Sequence, residues 1–186
     1  MKRELQEDDI VKVHDRVLKV ALRTMAEHNE EIAPHLLAVW IDDAGAVNNM
    51  IPVPPELMQT MMKNAAGKEL LMMVVREAFK EKLAPDVMVM VSEAWSLEIA
   101  GPDAKQKADS YRTGTLEHEP GRGESLIVSV YTPTRSYMGM HRIETDSAGK
   151  RTVVVRPLDM DGVLSGRLTI EGDEVEKEPV ASGVSP

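Results

Sequence analysis

Residues 87–91 read Val-Met-Val-Met-Val, and that run narrows the choice of fold more than any other stretch. In a strand, successive side chains point to opposite faces. Val87, Val89 and Val91 therefore share one face and Met88 and Met90 the other, and both faces are apolar. Such a strand belongs inside a sheet that is covered on both sides. The chain must then supply flanking strands and at least two helical coverings.

The coverings are legible as 3.6-residue periodicity. Over residues 5–28, Ile10, Val13, Val17, Val20, Ala21, Thr24 and Met25 recur with charges between them, and Pro34 limits how far the helix can run. A short helix opens at the Pro54-Pro55 pair. A longer one is expected over residues 66–83, with Leu71, Val74, Val75, Ala78, Phe79 and Lys82 on its stripe and Pro85 closing it. Two apolar runs around Asp42-Asp43-Ala44-Gly45 form a hairpin, and residues 124–155 form a meander of three strands. A weak last strand is expected at Gly166–Ile170. The predicted fold is α+β: a mixed or mostly antiparallel sheet of about five to six strands, packed by an N-terminal helix and a second long helix. One domain spans 1–170, followed by an acidic, disordered tail over 171–186. Residues 100–123, rich in glycine and polar groups, form a long flap.

Composition removes several function classes. Of 186 residues none is cysteine, which excludes a disulfide framework, a thiolate nucleophile and a cysteine zinc site. The net charge of −9 is concentrated at the ends. Residues 1–9 carry −2 and residues 171–178 carry −4, leaving −3 for the body. No basic stripe for phosphates is expected, and so no nucleic acid. With no apolar h-region and no run near the ~18 residues of a membrane span, a soluble cytoplasmic protein is expected, with no membrane partner.

The tempting motifs fail on detail. "VVVRPLDMDGV" is similar to the aspartate motif of haloacid-dehalogenase phosphatases, but Arg156 and Pro157 interrupt the strand before Asp159, and too little chain follows. Gly67-Lys68 lacks the hydroxyl residue and first glycine of a P-loop. Glu117, His118 and Glu119 sit in one loop, with His141 a conceivable fourth member, but nothing in the spacing requires a metal. No cofactor is expected. The 13 methionines fill an aliphatic core in a chain only 3% aromatic; Met58, Met61 and Met62, after a proline-rich turn, are the expected exceptions on an adaptable surface.

Glu93 continues the valine row of the central strand, ahead of Trp95. It has three readings: exposure at the strand's end, which comes first because Ser92, Ser96 and Glu98 are polar; a structural ion pair; or a functional carboxylate beneath the flap, with His141 as acid or base and an arginine holding an anion. Candidate cations are Arg135, His141 and Arg142 of the meander and Arg112 and Arg122 of the flap. On the strand near 135–145, Tyr137, Gly139, His141 and Ile143 share one face and Met138, Met140, Arg142 and Glu144 the other, so the choice depends on sheet register.

The run Glu93-Ala94-Trp95, the flap, and then His118, Pro120, Arg122 and Glu124 resemble small uncharacterised proteins encoded by bacteriophages and other mobile elements, over residues 87–145 at most. The resemblance implies a prokaryotic or phage cytosolic setting and supplies no activity. The leading expectation is a non-catalytic protein-binding or regulatory protein, not an enzyme. Its contacts would come from Trp95, Arg112, His118, Arg122 and Arg142 around the flap and from Met58, Met61 and Met62. A homodimer is compatible with this. The alternative is a small enzyme or ligand-binding domain using Glu93, His141 and an arginine.

Overall fold

A computed structural model describes residues 5–62, 65–82, 84–96 and 120–158. The elements in chain order are α1 (Glu7–His28), β1 (His35–Ile41), β2 (Val47–Pro52), α2 (Pro55–Met62), α3 (Ala65–Ala78), β3 (Val87–Ser96), β4 (Gly123–Tyr131), β5 (Ser136–Thr145) and β6 (Arg151–Val154). The six strands form one sheet in the order β2-β1-β3-β4-β5-β6, and every neighbouring pair is antiparallel. The α+β expectation therefore holds, with the sheet wholly antiparallel. Gly166–Ile170 and the acidic tail lie outside the described residues.

β3 is interior, and Val87–Ser92 are buried along its first half. Its register with β1 and β4 sorts side chains into two cores. Val87, Val89 and Val91 align with Val39, Val128 and Val130 under α1, whose Ile10, Val13, Val17, Leu18, Ala21 and Met25 pack onto them. Met88 and Met90 meet Leu36, Tyr131, Met58, Met61, Leu71, Met72 and Val75 on the opposite face. Each such buried side chain contributes roughly 1.5–3 kcal/mol of transfer free energy. No helix among the described residues is long and apolar enough to cross a membrane.

Two local devices fix the ends of α1. Asp9, buried in the first turn of α1, accepts a hydrogen bond from the Gln6 backbone N–H at 3.0 Å. At the other end Asn29 takes the left-handed conformation (φ 51°) that closes helices. Its side chain reaches the β5–β6 turn, donating to the Gly149 carbonyl at 3.0 Å and accepting from the Arg151 N–H at 2.9 Å. Between α2 and α3, Gly67 passes so close that a Cβ there would sit 2.2 Å from the Met61 carbonyl oxygen. That approach gives the glycine of the Gly67-Lys68 pair a packing role.

Helix α3 ends at Ala78, short of the expected residue 83. Glu77–Lys80 and Glu81–Ala84 are closed instead by separate turn hydrogen bonds. Lys82 is exposed, so the apolar stripe stops at Phe79, short of the expected Lys82.

Candidate functional site

The Glu93 carboxylate is only 6% exposed, although it sits where β3 turns polar. Exposure at the strand's end is thus overturned, and the ion-pair reading stands with a partner outside the expected set. Arg151, the first residue of β6, grips Glu93 with both ends of its guanidinium: Nη1 donates to Oε1 at 3.1 Å and Nη2 to Oε2. Nη2 also donates to Glu124 at 3.1 Å, and the Ile32 N–H donates to Glu93 Oε1 at 2.7 Å. The bond to Glu93, ahead of the two carboxylates' charge, raises the Arg151 pKa above its ordinary value. Arg142, by contrast, points to the face opposite Glu93, as its pairing with Ser125 requires.

His141 lies in the same cross-strand row as Glu93, but Leu126 stands between them in the register. Two strand spacings, about 10 Å, separate the two backbones. His141 is fully buried and belongs to a different network. Its Nδ1 accepts from the Arg156 backbone N–H at 3.1 Å, so in the neutral ring the proton resides on Nε2. Nε2 faces His14 Nε2 of α1 at 3.3 Å, which must then accept, leaving His14 Nδ1 to donate to Asp15 at 2.9 Å. One order of donors satisfies the whole chain. Burial, reinforced by His14 and Arg156, pushes the His141 pKa down to about 4.

This order argues against a metal between the rings, because a ligating nitrogen needs a free lone pair and His141 Nε2 carries a proton. Among the described residues no three His, Cys, Asp or Glu side chains gather as a metal site. Glu117, His118 and Glu119 lie outside the described residues.

Room for the two imidazoles comes from Gly139 on β5. A Cβ there would lie 2.3 Å from His14 Nε2 and 2.9 Å from His141 Nε2. Gly139→Ala should therefore lower stability by about 1–3 kcal/mol through overpacking, measured by urea denaturation. Unchanged stability would show that the rings can part freely.

The other expected contact residues scatter. Met58 and Met61 are core, at 0% and 6% exposure, because α2 turns them onto the sheet beneath α3; the adaptable-surface reading fails for them. Met62 is half-buried beside them. Trp95 is exposed, and Arg122 stacks over its ring at 4.8 Å from the centroid. Arg142 lines a small polar pocket of about 110 Å³ with Arg156, Ser96 and Ser125. Arg112 and His118 lie outside the described residues. Among the described residues, these side chains are not gathered into one site.

A larger concavity lies elsewhere. Helix α1 packs on β3, β4 and β6, and between it and the β1–β2 hairpin opens an apolar trough of about 500 Å³. Val17, Ala21, Ile32 and Val91, all buried, form its floor. Val20, Leu37 and Met50 extend the apolar wall, and Arg16, Thr24, Glu31 and His35 supply its polar groups. Both its size and its chemistry are those of small-molecule sites.

No family model, curated protein or solved structure matches the chain.

Sequence reading missed the trough, though part of its signal was present. Val20 and Thr24 fall on the apolar stripe expected for α1, yet Val20 is 60% exposed. An apolar stripe wider than the sheet can cover leaves a wall facing a cavity. The expected absence of a basic stripe also needs correction. Lys12, Arg16, Lys19 and Arg23 follow a 4-3-4 spacing, which puts them on one helix face, and all four are exposed.

Proposed function

We propose that the protein acts by binding and not by catalysis, and that it receives a small, largely apolar molecule in the trough between α1 and the β1–β2 hairpin. The trough itself carries this reading: a concavity of about 500 Å³ whose floor is continuous with the hydrophobic core. The placement of Glu93 and His141 supports it from the other side. Each is committed to a separate structural network, so neither is available to the other as an acid–base partner. A phage or mobile-element setting in the cytoplasm is part of the proposal, resting on the Glu93-Ala94-Trp95 run and the lack of cysteine.

The test is a fluorescence titration with N-phenyl-1-naphthylamine, an uncharged apolar probe that brightens on leaving water. Saturable binding is expected. Val20→Asp, which sets a carboxylate in the wall, should weaken it about tenfold or more. Because Val20 is exposed, the same variant should keep its stability within about 0.5 kcal/mol. Absence of saturable binding, or a Val20→Asp variant that binds as well as the wild type, would refute the proposal.

A further inference from the structure

We infer that the ligand of the trough is a monomeric anionic amphiphile, with its apolar chain along the trough and its negatively charged head against Arg16. The inference rests on the trough being the binding site, and it adds the ligand's chemical class and orientation.

Dimensions come first. Arg16, Val20 and Thr24 line the trough at successive turns of α1. At 1.5 Å per residue they mark out a channel about 12 Å long. That length suits an alkyl chain of roughly ten carbons, and a volume of about 500 Å³ leaves room for it to kink or carry a branch.

Charge then selects the head. The chain carries −9 overall, yet residues 12–23 contain four cations and a single acid, Asp15. Asp15 is engaged by His14 Nδ1 at 2.9 Å. Lys12, Arg16, Lys19 and Arg23 thus form an exposed cationic ridge on α1, with Arg16 at the edge where ridge and trough meet. A carboxylate, sulfate or phosphate head at Arg16 could accept a bidentate pair from the guanidinium while Lys12 and Lys19, one turn away on either side, add field without contact. Glu31 is the one carboxylate among the described residues that line the trough. It opposes a second anionic group, so the ligand carries one charged end.

Three ten-carbon probes test this: decanoate, decanol and decyltrimethylammonium, each below its micelle concentration and each competing with N-phenyl-1-naphthylamine. Decanoate is expected to displace the probe at roughly tenfold lower concentration than decanol, with the cationic amphiphile weakest. Arg16→Gln should bring decanoate to within about twofold of decanol, and 0.5 M NaCl should narrow the same gap. Equal displacement by decanoate and decanol would overturn the headgroup assignment and leave the trough reading intact. Loss of all probe binding would sink both. Flotation with vesicles containing anionic lipid, without displacement by monomeric decanoate, would overturn the monomeric ligand in favour of a membrane surface.

Discussion

Arg151→Met should destabilise the protein by about 3–5 kcal/mol, the largest loss expected from any single side chain outside the two cores. The guanidinium is 13% exposed and holds Glu93, Glu124 and the Glu30 carbonyl at once. Removing it leaves the Glu93 carboxylate, 6% exposed, with only the Ile32 N–H for compensation among the described residues. A buried anion in that state must either be poorly solvated or take up a proton. Glu93→Gln is expected to cost less, because Arg151 keeps Glu124 and the amide oxygen can still accept from Ile32. The double change Glu93→Met with Arg151→Met should recover much of the loss, since a desolvated ion pair replaced whole by apolar groups is often near neutral. Urea denaturation at pH 7 of the wild type, Arg151→Met, Glu93→Met and the double variant gives the coupling directly. If the costs of Arg151→Met and Glu93→Met simply add in the double variant, the pair is not an energetic unit. A catalytic Glu93 would behave differently again, losing activity on conversion to glutamine with stability preserved.

That contrast also shows what kind of information the sequence held. The alternation in Val87–Val91 led to an interior strand, and the periodicity of residues 5–28 to the helix that covers it, because both are local patterns. The Glu93 partner is 58 residues away in sequence and becomes a neighbour only when β6 has paired with β5 and Asn29 has clamped the turn between them. Met58 likewise could not be placed by its neighbours along the chain: proline-flanked short helices are equally at home on a surface or, as here, wedged under α3. The trough is a still higher-order feature. It exists because α1 lies over β3, β4 and β6 while its apolar stripe is wide enough to border the β1–β2 hairpin as well, and neither fact is written in any one segment.

The second large effect is a loss of stability in mild acid that originates at His141. In the folded protein a proton arriving on this ring can land only on Nδ1, and that lone pair already accepts the Arg156 N–H at 3.1 Å. Ionisation therefore buries a charge, and it sets that charge near the positive Arg156. These are the reasons the pKa falls to about 4, against about 6.5 for the same side chain in the unfolded chain. Between those values the unfolded state binds more protons than the folded one, so stability falls as pH falls, and above about pH 6.5 the contribution is complete. Over pH 6.5 to 5.0, above the range where most carboxylates titrate, the loss should be about 1.6 kcal/mol. It is measurable as a shift in the urea midpoint at constant slope. His141→Gln, whose amide can still accept from Arg156, removes the titration and should flatten the profile in that window whatever its own stability. A wild-type profile flat from pH 6.5 to 5.0 would mean that the buried pair opens to water before it charges, and that α1 is held on the sheet less firmly at His14 than its packing elsewhere implies.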